Sequence, residues 1–151
     1  MKRFRFKFGK LQKLRERDES AALLRLALAQ EDLAREEELL TGLAGAIEDS
    51  GSRLSDLMEQ GAPPDMLRNA DAFRRATSDA AVRQRGEVQQ AAKEAEEKRG
   101  EFDAGHRRAE AIRKLHEKGR QEHRKESLKE EQKELDEIGG RANKAAGSSH
   151  R

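Results

Sequence analysis

The chain contains no cysteine and no tyrosine, and only 2 prolines in 151 residues. Without cysteine there can be no disulfide, no thiolate metal site and no thiol nucleophile. Aromatic residues make up 3% of the chain and hydrophobic residues of every kind 34%. These residues cannot fill the thick apolar core that a compact globule of this length needs. No apolar run approaches the ~20 residues that span a bilayer. The start, Met1-Lys2-Arg3-Phe4-Arg5-Phe6-Lys7-Phe8, is basic but is followed by no apolar stretch, so it does not read as a secretory signal. The expectation is a soluble, cytosolic chain. Glycine-rich phosphate loops, GxSxG and HExxH are all missing. No catalytic constellation and no cofactor site emerge, so the chain is not expected to be an enzyme.

What remains is charge, at 41% of residues. A sequence this poor in apolar residues is either disordered or made of long helices buried along one narrow seam. Lys and Arg total 32 and Asp and Glu 30, a net of only +2. Interspersed charge of both signs suits solvated helix faces with i,i+4 pairs. The heptad spacing agrees. Leu26, Leu33, Leu40, Ile47 and Leu54 recur every seven residues, with Ala29, Leu43 and Leu57 between them. Leu11, Leu14, Ala21, Leu24 and Leu28 form a stripe in another phase, which predicts a stutter near residues 24–28. Gly61-Ala62-Pro63-Pro64 is the only strong helix breaker before residue 139.

The predicted architecture is all-α. Helix one covers about 8–58, a tip 59–64 and helix two about 65–138, folded into a single antiparallel coiled-coil hairpin. Gly139-Gly140 reads as a cap and 139–151 as a frayed tail. The seam of helix two is poorer. It begins with Met66, Phe73 and Ala80 and continues through Val88, Ala95, Phe102, Ala109, His116 and His123. Ala91 and Ile112 occupy the other heptad position, and Leu115, Leu128, Leu135 and Ile138 complete the apolar set. With the tip near residue 62, Phe4 falls opposite residue 119 or 120, which leaves Gln121 to Glu137 without a partner.

Three features invite a functional reading. The basic start, Lys2 to Arg17, interleaves Phe4, Phe6 and Phe8 with cations. It suits protein docking, nucleic-acid stacking or a membrane surface, and no RNA-recognition or helix-turn-helix pattern accompanies it. His106, His116 and His123 are the only clustered metal-ligand types. His116 and His123, about 10 Å apart on a helix, cannot share one ion and read as polar seam residues. Phe73 is either a core residue or an exposed anchor for a partner.

Two end motifs then combine with the hairpin. The chain opens with Arg5-Phe6-Lys7-Phe8-x-x-Leu11-x-x-Leu14-Arg15-Glu16-Arg17. It closes with Lys125-Glu126-x-Leu128-Lys129-Glu130-Glu131-Gln132-Lys133-Glu134-Leu135-Asp136-Glu137-Ile138. With two long helices between them, the chain resembles the FliJ family of bacterial flagellar type III export over roughly residues 3–141. The resemblance implies a non-enzymatic hairpin similar to the coiled coil of rotary-ATPase gamma subunits. Such a hairpin serves as the central stalk of the export ATPase (FliI-like) hexamer and contacts the cytoplasmic domain of the export gate (FlhA-like) and export chaperones. It places the protein at the inner face of the cell membrane, peripheral through its partners, with no nucleic acid expected. It assigns ATPase binding to Phe4, Arg5, Phe8, Leu11, Leu14, Leu128, Leu135 and Ile138. It assigns gate binding to Leu39, Leu43, Ala46, Phe73, Thr77, Ala80 and Gln84. The aromatic character often found at the Ala46 position is absent here. Two readings from the residues alone stay open beside it: a coiled-coil nucleic-acid or membrane-surface binder using the basic arm, and a stalk of another rotary ATPase or a virulence secretion system.

Overall fold

The computed structural model describes residues 2–148. Two α-helices, α1 (Gly9–Glu59) and α2 (Pro64–Gly147), account for nearly all of them and pack as an antiparallel coiled-coil hairpin with no strand among the described residues. The chain divides into two units. A tip unit contains residues 19–104, and a terminal unit pairs 2–18 with 105–148.

The turn in the tip unit follows from three residues. Gly61 takes φ of 67°, the only positive φ among the described residues, and a left-handed residue there lets the chain leave the helix. The Ala62 amide then donates to the Leu57 carbonyl at 3.0 Å and the Gly61 amide to the Met58 carbonyl at 3.2 Å. That pair of bonds is a Schellman motif, which satisfies carbonyls otherwise left without partners at the end of α1. Pro63 and Pro64 cannot extend α1. Pro64 opens α2, where a missing N–H costs nothing, and Asp65 follows in the first turn, favourably placed against the helix dipole.

The core is one residue wide. In the tip unit the α1 seam runs through Glu19, Ala22, Leu26, Ala29, Leu33, Glu36, Leu40, Leu43, Ile47, Ser50, Leu54 and Leu57, all buried or half-buried at unbroken three-and-four spacing. The stutter expected near residues 24–28 does not exist. Leu24 and Leu28 lie outside the seam and are exposed. The two stripes are two faces of one regular helix, and the small residues Ala22 and Ala29 take the inner one. The facing stripe of α2 is displaced from expectation in the same way. Met66 and Phe73 are exposed, and the seam runs through Leu67, Ala70, Thr77, Ala81, Gln84, Val88, Ala91, Ala95, Lys98 and Phe102.

Alanine fills most buried positions, so the helix backbones approach closely while little area is removed from water. The two buried hydroxyls are satisfied within their own helices: Ser50 donates to the Ile47 carbonyl at 2.8 Å and Thr77 to the Phe73 carbonyl at 2.9 Å. Gln84 links the helices, its Nε2 donating to the Glu36 carbonyl at 3.0 Å. Arg25 reaches Glu101 at 3.7 Å. This pair is half-exposed and adds little.

In the terminal unit, Gly105 and Ala109 are buried, with Ala109 at 0% exposure, and Ile112, His116, Gly119, His123 and Ser127 are half-buried along the same face. From residue 128 to 148 every residue is exposed. Leu128, Leu135 and Ile138 therefore do not join a seam, and neither does Leu115, which is also exposed. The helix also does not stop at Gly139-Gly140. Both glycines keep helical backbone and α2 continues through Gly147. A helical glycine costs only ~1 kcal/mol, and the following Arg141-Ala142-Asn143-Lys144-Ala145-Ala146 contains no breaker. Of the expected tail, residues 149–151 lie outside the described residues.

Candidate functional site

The terminal unit joins the N-terminal arm to α2. Residues 2–6 are not helical, because Lys2, Arg3 and Arg5 repel one another and no acid lies near in sequence to pair with them. The arm is instead held by rings. Phe4 stacks on His116 with centroids 5.8 Å apart and tilts against His123 at 5.5 Å. Phe6 also stacks on His116, with centroids 4.6 Å apart, and meets Phe8 edge-on at 5.9 Å. The Phe4 ring lies over Gly119, where a Cβ would meet Phe4 Cζ at 3.5 Å, an ordinary van der Waals contact. Below the arm, Glu16 accepts from Gln12 at 3.2 Å and from Arg113 at 3.4 Å, and Arg113 also pairs with Glu110 at 2.8 Å.

These contacts assign work to His116 and His123. They are the surface on which the arm packs, and among the described residues no group of three His, Cys, Asp or Glu is placed to hold a metal ion. The arm-length argument places Phe4 opposite residue 119 or 120, which is where it packs. The stacking itself needed side-chain geometry that heptad spacing does not carry.

The residues assigned to ATPase binding all belong to this unit. Phe4 and Leu11 are half-buried, and Arg5, Phe8, Leu14, Leu128, Leu135 and Ile138 are exposed. Leu128, Leu135 and Ile138, at spacings of seven and three, form an exposed apolar stripe on a stretch of α2 in which no residue from 128 to 148 is buried.

The residues assigned to gate binding all belong to the tip unit. Leu39 and Phe73 are exposed, and Leu43, Ala46 and Ala80 are half-buried. Thr77 is buried and Gln84 is engaged with Glu36 across the seam. A groove of about 560 Å³ runs between the helices near the turn, lined among others by Ala46, Asp49, Arg53, Leu57, Met66 and Phe73. Met66 was missed by heptad reasoning, which counted it as core.

Charge is segregated between the units, although the chain as a whole is nearly neutral. The described residues of the terminal unit contain 20 basic and 11 acidic side chains, a net of +9, and within it residues 2–18 and 105–125 contain 16 basic and 5 acidic, a net of +11. Residues 19–104 contain 11 basic and 19 acidic side chains, a net of −8. Composition over the whole chain hides this, and a windowed charge count would have found it.

Two long helices packed antiparallel, with exposed apolar residues in each unit, define the class: a two-helix coiled-coil protein. No helix among the described residues is long and apolar enough to cross a membrane. Compared with known families, the chain matches the one described as Flagellar FliJ protein over residues 4–148. It belongs to the FliJ family and has a flagellar export-related role. No curated protein and no solved structure matches it.

Proposed function

We propose that this protein is the non-enzymatic central stalk of the flagellar export ATPase ring, coupling that ring to the export gate and to export chaperones. The family match over residues 4–148 carries the reading. The surfaces of the two units support it. The terminal unit offers Phe8, Leu14, Leu128, Leu135 and Ile138 to the ATPase, all exposed, with cations beside Phe8, Leu14 and Leu128 and acids beside Leu135 and Ile138. The tip unit offers Leu39, Leu43, Ala46, Phe73 and Ala80 to the gate, with Phe73 as its one large exposed ring. Such a protein works in the cytoplasm, at the membrane only through its partners.

The test is addition of the purified chain to its cognate export ATPase. Ring assembly and ATP hydrolysis should both rise, and replacing Leu128, Leu135 and Ile138 together by Ser should abolish the rise. No change in either quantity, with an ATPase active on its own, sinks the proposal. The reading as a nucleic-acid or membrane-surface binder that uses the arm's aromatic residues is weaker, because Phe4 and Phe6 are engaged by His116.

A further inference from the structure

The arm and α2 of the terminal unit enclose a groove of about 320 Å³, whose walls include Lys2, Glu117, Arg120, His123, Arg124 and Ser127. We propose that this groove binds a phosphoryl group, with Lys2, Arg120 and Arg124 neutralising its charge and the Ser127 hydroxyl and the His123 imidazole completing its hydrogen bonds.

Three observations carry the assignment. First, neither Lys2 nor Arg124 has an ion-pair partner among the described residues, so two of the three cations are available without breaking a contact. Second, the surrounding residues 2–18 and 105–125 have a net charge of +11, which concentrates anions at the groove. Third, Arg120 is paired with Glu117 at 3.5 Å, and Gln121 donates to the same carboxylate at 3.4 Å. That pair selects for charge density. A single carboxylate offers Arg120 only what Glu117 already supplies, whereas a phosphoryl group has nearly two negative charges and three strong acceptor oxygens that match the guanidinium fork. The groove exists because the arm is docked. Lys2 forms part of its wall, held near α2 by Phe4 on His116, Gly119 and His123. The proposal is independent of the stalk reading.

The experiment titrates the full chain with tripolyphosphate by calorimetry at about 50 mM salt. Saturable binding at one site is expected. The double substitution Arg120→Ser/Arg124→Ser, and separately Lys2→Ser in the non-helical arm, should each weaken it at least about tenfold. Lys129→Ser/Lys133→Ser removes the same charge as the arginine pair outside the groove and should change it less than about twofold. Phe4→Ser, which alters no charge but removes the ring that packs the arm on His116 and His123, should weaken binding as the groove variants do. Vesicles of phosphatidylglycerol in phosphatidylcholine distinguish the source. Wild-type flotation that the arginine double abolishes identifies a lipid headgroup, and binding of tripolyphosphate alone identifies a soluble phosphate. Absence of saturable binding overturns the proposal. So does an equal loss in the groove and control doubles, or duplex DNA binding that both doubles leave unchanged, since each marks diffuse surface charge.

Discussion

Replacing Leu26 by Ala, with Leu24→Ala as its companion, tests the phase of the α1 seam directly. The residues are two apart, chemically identical, and on different faces. Leu26 is 8% exposed and Leu24 61% exposed. Truncating a buried leucine loses its transfer free energy and leaves a cavity, together 2–5 kcal/mol in a thick core. A seam one residue wide borders solvent and relaxes more easily, so the lower part of that range, about 2–3 kcal/mol, applies to Leu26. Leu24 touches little beyond its own helix, and leucine and alanine have similar helix propensity. Its truncation should cost less than about 0.5 kcal/mol. For a chain of this size Leu26→Ala then lowers the melting temperature by about 4–12 °C and Leu24→Ala by no more than about 2 °C. Thermal and urea unfolding followed by circular dichroism at 222 nm read the difference. Equal losses, or a larger loss for Leu24→Ala, would show that the helix changes phase near residue 26 and that the continuous seam is wrong.

Other outcomes follow from the same geometry. Leu40→Asp or Ile47→Asp places a charge in the only apolar stripe of the tip unit and should separate the helices there, seen as lost helicity and an earlier melt. Gly86→Ala and Gly100→Ala meet nothing within 4 Å and should each stabilise the helix by about 0.5–1 kcal/mol in urea titrations. Gly61→Ala forces an L side chain into φ of 67° and should cost about 1 kcal/mol in the same assay. Phe73→Ala removes an exposed ring and should leave the melting temperature within about 2 °C, while weakening binding to the export gate at least about tenfold if the gate patch is as proposed.

The hairpin was legible because its signals are local. Low hydrophobicity with near-zero net charge excluded a globule, the leucine heptads required a partner helix, and Gly61 with Pro63-Pro64 allowed only one reversal. The opening and closing motifs pointed to the FliJ family, and the family match agrees. Periodicity alone could not choose the inner face near residue 26, because Leu14, Ala21 and Leu28 recur every seven residues as Leu26, Leu33 and Leu40 do. The packed structure chose: Ala22, Leu26 and Ala29 are buried, while Leu24 and Leu28 are exposed. In α2 the inner face likewise lies not at Met66 and Phe73 but at Leu67, Ala70 and Thr77.

Sequence by itself settled helix against globule, the number of helices and the place of the turn, since each depends on residues within a few positions of one another. The partner of each distant residue was decided only in three dimensions. Phe4 meets His116 and His123 across more than a hundred residues of chain, and the Lys2–Arg124 groove exists only because that arm is docked. The Gly139-Gly140 pair illustrates the limit from the other side. Two glycines permit a helix to end without requiring it, and α2 continues because no left-handed turn forms there.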